Sequence, residues 1–296
     1  MKIYDMHVHA SKSVPNTVNL LENMRQAGVY GGSVFSTRPI EANKEQGWDF
    51  KKRLNEILTW ADGYENRIFP VLWIHPYEKN IIKKIDIAAN EGVKAFKIIC
   101  TDFYPNENRC MKVYERIARH NLPVCFHSGI LWNGAESSKY NRPLYFERLI
   151  EIDNFKFSLG HCSWPWIDEC IALYGKFLNG ITSGNTAEMF FDITPGTPVI
   201  YREELLTKLF TIGYDVPNNI MFGTDNRVNN YNFEWAKKWI EIDEKIFDKL
   251  GVNQELRENI YEHNYLRFMG VEKDEVKHIS PVPDNDRTWS LQYYKK

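Results

Sequence analysis

"KIYDMHVHA", residues 2–10, is the stretch on which the reading of this chain turns. Apolar and polar side chains alternate through it with the period of two that marks a half-buried strand. Strict alternation gives Ile3, Asp5, His7 and His9 one face and Tyr4, Met6 and Val8 the other. The second set suits the layer between a sheet and its helices, so the first is expected to point inward, both imidazoles near the strand's C-terminal end. Two imidazoles at i and i+2 supply converging ligands for a divalent ion. They are equally ordinary polar residues near a terminus, and the pair alone does not choose.

Outward from this stretch the chain repeats one pattern. Seven more apolar runs read as strands: "YGGSVFST" (30–37), "RIFPVLWIHP" (67–76), "VKAFKIIC" (93–100), "PVCFHSG" (123–129), "KFSLGHCSW" (156–164), "MFFDIT" (189–194) and "IMFGTDN" (220–226). Helical segments lie between them, among them 17–28, 109–121, 143–152 and 202–213. Leu20, Leu21, Met24 and Ala27 fall on one helical face, and several segments stop at Gly or Asn, a C-cap signal. Alternating strands and helices imply a parallel sheet, and eight units are the number that closes a (β/α)8 TIM barrel. An open doubly wound sheet is the competitor, but no G-x-G-x-x-G follows the first strand. The expected α/β organisation is a single barrel domain over 1–270. Residues 271–296, polar and proline-containing around "HISPVPDNDRTW", are expected to form a C-terminal extension packed on the barrel.

Composition narrows the function classes. The 296 residues are 43% hydrophobic and 26% charged, a globular profile that needs no covalent staples. A net charge of −2 without a basic stripe argues against a nucleic-acid partner. No run approaches the ~18 apolar residues of a membrane span, so no membrane partner is expected. Five cysteines without a CxxC pair read as reduced buried thiols, and the cytoplasm is the expected compartment.

In a barrel the active site forms where the strands end. Five of the eight histidines lie late in strand candidates: His7 and His9 on the first, His75 on the third, His127 on the fifth and His161 on the sixth. Asp225 ends the eighth and Lys97 lies late in the fourth. His127 and Asp225 can complete a metal site begun by His7 and His9. Each has a plainer reading alone, His127 as a satisfied buried histidine and Asp225 as a helix N-cap. Their joint placement on separate strand ends favours a site. His75 is a candidate substrate contact or a simple strand-ending polar residue. Lys97, inward among histidines, needs a carboxylate, a metal-bridging modification or an anionic ligand. Asp5, one pleat deeper, is expected to support a ligand or to make a buried structural hydrogen bond.

"DMHVH", "FHSG", "LGHCSWPW" and "MFGTDN", with the late "RENIYEHNYLRFMG" (257–270), resemble the amidohydrolase superfamily. The similar branch is the amidohydrolase-related one, which contains aminocarboxymuconate-semialdehyde decarboxylase and γ-resorcylate decarboxylase. The resemblance spans about residues 2–270 and implies the same barrel with a divalent metal, zinc foremost, manganese or iron also compatible. It implies His7, His9, His127 and Asp225 as ligands, Asp225 also as proton-transfer residue, and His161 as the group that orients water or polarises substrate. Binuclear members carry a carboxylated lysine on the fourth strand, which would recruit Lys97 and His161 to a second ion. One ion is the reading preferred.

The chemistry so implied is a metal-dependent hydrolase that activates water against an amide, lactone or ester of a small molecule. The alternative on the same site is a decarboxylase or hydratase of a small unsaturated or aromatic carboxylic acid. A non-catalytic metal- or ligand-binding barrel is the third reading. Arg38, Arg142 and Arg227 are loop cations that suit an acidic substrate, although each is also an ordinary surface residue. Trp73, Trp132, Trp164 and Trp166 are candidates to cover a ring, or else core caps. Members of the branch often form dimers, and "NFEWAKKWIEI" offers a homodimer interface.

Overall fold

The structure, a computed structural model, describes residues 1–10, 12, 14–40 and 47–271. The expected C-terminal extension beyond residue 271 lies outside the described residues.

The strands are β1 (Ile3–His9), β2 (Val29–Phe35), β3 (Ile68–Trp73), β4 (Ala95–Ile98), β5 (Val124–Phe126), β6 (Lys156–Leu159), β7 (Glu188–Asp192), β8 (Ile220–Met221) and β9 (Asn226–Arg227). Every neighbouring pair is parallel, in the order β8-β7-β6-β5-β4-β3-β2-β1-β9. The two short strands β8 and β9 belong to one segment broken at its middle. The Met6 N–H donates to the Phe222 carbonyl at 3.0 Å, and Val8 and His9 pair with Asn226 and Arg227. The broken eighth stave thus lies along β1 and closes the sheet into a (β/α)8 barrel.

The helices are α1 (Thr17–Gln26), α2 (Phe50–Ala61), α3 (Ile81–Asn90), α4 (Asn108–Ala118), α5 (Ile167–Thr182), α6 (Arg202–Thr211) and α7 (Phe233–Leu250). Between β5 and β6, where an α-helix is expected over 143–152, the chain forms a 3-10 helix, Pro143–Glu151. Pro143, Phe146 and Leu149 are buried there, and Ile152 continues the row. A strict spacing of three matches three residues per turn, and it would drift off one face at 3.6. The last elements, α8 (Gln254–Glu258), a π-helical turn (Asn259–His263) and α9 (Asn264–Phe268), bring Tyr265 onto the Tyr4 ring, with centroids 5.0 Å apart.

One strand departs from strict alternation in a way that builds the site. Tyr4 and Met6, expected against the helices, pack with Phe69, Val71, Ala95, Cys125, Phe190 and Met221. Those residues come from strands around the barrel, so Tyr4 and Met6 fill its interior. Asp5 pairs with Gly32 but Val8 pairs with Val34, so β1 spends three steps where β2 spends two. The extra residue is a β-bulge at Met6–His7, which shifts the alternation by one. Above it His7 and His9 turn inward and Val8 faces α1, where it packs with Leu20, Leu21 and Met24. Asp5, expected inward, faces out toward Tyr231. Gly32 is required beside it, since a Cβ there would meet the Asp5 carbonyl oxygen at 2.0 Å.

Candidate functional site

The strands of this barrel stop earlier than their apolar runs, and the site residues lie in the backbone just beyond. His127 follows β5 directly, and His161 comes two residues after β6. His161, Cys162 and Ser163 all adopt left-handed φ (57°, 44° and 59°), which turns the chain sharply off the strand. Asp225 sits at the break between β8 and β9, also with positive φ (58°). These conformations cost free energy for residues other than glycine and mark places where tertiary contacts dictate the backbone.

Three side chains converge at the centre. His9 Nε2 lies 3.2 Å from Asp225 Oδ1, and His7 Nε2 lies 3.8 Å from the same oxygen. One ligand atom from each of His7, His9 and Asp225 can be chosen so that all lie within 4.8 Å of one another. Donors on one ion at ~2.0–2.2 Å can stand no more than about 4.4 Å apart, so the separations of 3.2 and 3.8 Å fit a shared cation. Burial pushes His7 and His127 well below the ordinary imidazole range. Both are therefore neutral, the state in which an imidazole binds a metal. Burial opposes ionisation of Asp225, but hydrogen bonding to His9 and the surrounding imidazoles outweigh it and hold the carboxyl well below its usual value.

A cavity of about 240 Å³ opens on this cluster, lined also by Lys97, His127, Trp132, His161, Trp164 and Gly196. The His161 ring centroid lies 5.2 Å from that of His7 and 5.0 Å from that of His127. His127 contacts the Ile130 carbonyl through Nε2 at 3.2 Å, which makes Nε2 the donor and leaves Nδ1 as the basic nitrogen. The buried Lys97 Nζ has no hydrogen-bond partner among the described residues and rests 4.9 Å from the Phe35 ring centroid. Burial lowers its pKa, while Cys125, Asp192 and Asp225 act in the opposite direction.

A second cavity, of about 530 Å³, adjoins the first through His9 and Asp225 and is lined by Lys12, Thr37, Arg38, Trp73 and Arg227. Arg38 and Arg227 have no carboxylate partner among the described residues. Arg142, by contrast, is paired with Glu169. The cavity wall is held from behind by α2. Glu56 accepts the Thr37 N–H at 2.7 Å, and Arg53 donates to the Trp73 carbonyl.

The structure thus brings His7, His9, Asp225, His127, His161, Lys97, Trp132 and Trp164 to one cavity, and Arg38 and Trp73 to its neighbour. His75 lines neither. Its Nε2 faces Asp102 at 2.9 Å, its Nδ1 accepts from the Tyr77 N–H, and its ring packs on Phe103. Asp192 is a site residue that the sequence reading passes over. It ends β7 with one oxygen 2.7 Å from His7 Nδ1 and the other accepting the Thr194 N–H at 2.8 Å. Its signal is positional, a lone carboxylate closing the apolar run "MFFD". No helix among the described residues is long and apolar enough to cross a membrane.

The model of the amidohydrolase family matches residues 4–271. No curated protein matches the sequence. Among solved structures, 2,6-dihydroxybenzoate decarboxylase from Rhizobium is similar over 92% of this chain and 100% of its own, with a TM-score of 0.62 at 11% identity. Dihydroorotase from Campylobacter jejuni is similar over 93% and 85%, with a TM-score of 0.55 at 16% identity. Amidohydrolase 2 from Bifidobacterium longum subsp. infantis is similar over 92% and 100%, with a TM-score of 0.55 at 13% identity. At such identities the likeness is one of fold.

Proposed function

The chain belongs to the amidohydrolase family, and from that premise we propose that it is a hydrolase that uses one divalent metal ion, zinc foremost as the family resemblance implies, against a carbonyl-type carbon of a small acidic molecule. The observation that carries this reading is the convergence of His7 Nε2, His9 Nε2 and Asp225 Oδ1 in the lining of a cavity. His7, His9 and Asp225 would hold the ion, with His127 from the same cavity as a further ligand. Imidazole and carboxylate donors suit zinc, manganese and iron alike. A divalent ion in such a site acts as a Lewis acid and lowers the pKa of water toward ~7.

The chain's own residues do the rest. Asp225 is ionised and borders both cavities, so its carboxylate can accept the proton of the attacking water and return it to the leaving group. His161 lines the same cavity, and with its Nδ1 proton given to the Thr194 carbonyl its Nε2 is left to accept from, and so orient, the attacking water. Arg38 and Arg227, without carboxylate partners among the described residues, suit a carboxylate elsewhere on the substrate, and Trp73, Trp132 and Trp164 suit an apolar or planar portion. Lys97 offers the cavity one more cation.

A decarboxylase is the second reading, favoured by the cation-lined cavity beside Asp225, which would bring a substrate carboxylate next to the metal ligands. The test begins with elemental analysis of the purified protein after growth with zinc or manganese. About one equivalent is expected, and less than about one tenth of an equivalent would favour a non-catalytic binding module. A screen divided between lactones, amides and small unsaturated or aromatic carboxylic acids, read by acid release and by CO₂ release, then separates hydrolase from decarboxylase.

A further inference from the structure

Asp192 lies on the side of His7 away from the metal-ligand cluster. Its Oδ2 is 2.7 Å from His7 Nδ1, and both side chains are almost completely buried. A neutral imidazole carries one proton, and two carboxylates compete for it. Asp192 faces Nδ1 at hydrogen-bond distance, whereas Asp225 faces Nε2 at 3.8 Å, beyond that range. The proton therefore belongs on Nδ1, and the Nε2 lone pair faces His9 and Asp225.

We infer that Asp192 is the positioning residue that sets the tautomer of His7, holding the proton on Nδ1 so that Nε2 is presented as the metal-binding nitrogen. The inference rests on the reading of His7 as a metal ligand. It is sharpened by what holds Asp192 itself. The Thr194 N–H donates to Asp192 Oδ1 at 2.8 Å, which leaves only Oδ2 for the imidazole. Thr194 also offers its carbonyl to His161 Nδ1 at 3.3 Å, so one short segment after β7 orients two histidines of the cavity.

This arrangement makes Asp192→Asn an informative change. The amide is nearly isosteric, but only its oxygen can accept the Thr194 N–H. Its NH₂ must then face His7 Nδ1, which can only accept, and the imidazole proton moves to Nε2. The metal-binding nitrogen would be blocked without a gap in the core. Outer-shell changes of this kind typically lower metal affinity about 10- to 100-fold.

Two measurements test the inference. In metal-free wild-type protein, ¹⁵N NMR of the histidine side chains, with His7 assigned by its loss in His7→Gln, should show the proton on Nδ1 of His7. In Asp192→Asn the same signals should show it on Nε2. Competition with a chromophoric chelator should give zinc binding weakened about 10- to 100-fold. A His7 proton on Nε2 in the wild type would overturn the inference, and this readout needs no variant to fold. Unchanged zinc affinity in a folded Asp192→Asn would overturn it as well. If the wild type itself binds no zinc while His7 carries its proton on Nδ1, the failure belongs to the proposed function and not to the role of Asp192.

Discussion

Met6 and His7 are adjacent in β1, yet both side chains face the barrel interior. Met6 packs among residues of the inner core, and His7 reaches the cavity and Asp192. Only a bulge permits this, and a bulge removes backbone groups from the ladder. Asp5 compensates: its Oδ1 accepts the N–H of His7 and the N–H of Thr224, both at 3.0 Å, and Oδ2 accepts from Tyr231 at 2.9 Å and from the Thr224 hydroxyl. One buried carboxylate thus anchors the backbone of a metal-ligand candidate on β1 and the turn that carries Asp225.

Asp5→Ala should therefore destabilise the fold by about 3 kcal/mol or more, because at least two buried N–H groups lose their acceptor. Asp5→Asn should cost only about 1 kcal/mol. Its oxygen keeps both N–H bonds, and the hydroxyls of Thr224 and Tyr231 can rotate to accept from the amide. Urea denaturation of the two variants decides; equal losses would contradict the assigned hydrogen bonds.

The same residue gives a pH dependence. Burial, opposed by hydrogen bonds from Thr224, His7 and Tyr231, pushes the Asp5 carboxyl up to about 7. Its unfolded value is about 3.9, so the folded state binds the proton more tightly. Its contribution to stability is therefore greatest at low pH and is lost as pH rises from about 4 through 7. Metal-free wild type should lose stability between pH 4 and 7 more steeply than Asp5→Asn, as read by denaturation midpoints. Parallel curves would count against it.

Gly196→Ala should impair turnover without releasing metal. A Cβ at this position would lie 2.7 Å from His161 Cγ and Nδ1, so the imidazole must move. The expected result is a fall in kcat of about 10-fold or more, in line with loss of a group that orients the attacking water. Metal content should match the wild type. Retained kcat would remove His161 from the reaction.

Arg38→Met and Arg227→Met should each raise KM for an anionic substrate about 10-fold, since a charge-assisted hydrogen bond is worth ~1.5–3 kcal/mol. Turnover of a neutral analogue should change little. An equal effect on both substrates would assign these arginines to structure instead of recognition.

Arg202 and Asp243 form a buried bidentate pair between α6 and α7, and Arg202 also donates to the Ile193 carbonyl at 2.6 Å. Asp243→Ala should cost about 3–5 kcal/mol by stranding the guanidinium. The double variant Arg202→Met/Asp243→Leu should recover much of that loss. Thermal unfolding of the metal-free forms measures both.

The fold was legible because its signals are local and repeated. Each strand run carries its own apolar pattern, and eight of them alternating with helices leave few architectures. The metal-ligand candidates were legible for a similar reason: His7, His9, His127, His161 and Asp225 all fall where a parallel strand ends, whatever the exact twist of the barrel. The 3-10 helix at Pro143–Glu151, where an α-helix was expected, also carries a local signal, the spacing of three among Pro143, Phe146 and Leu149.

The sequence by itself determined the barrel and most of the residues gathered at its mouth, because strand periodicity and chain order suffice to place strand ends on one face, while the family showed only through the resemblance of its motifs. Only the tertiary structure decided which face of β1 is inner, since the bulge at Met6–His7 is a mismatch of register with β2 that no single strand's sequence records. Only the tertiary structure joined His7 to Asp192 across 185 residues and sent His75 to Asp102 instead of the cavity. Those choices depend on angles and distances between separate strands. Periodicity fixes which side chains can share a face, but closure of the barrel decides which of them meet.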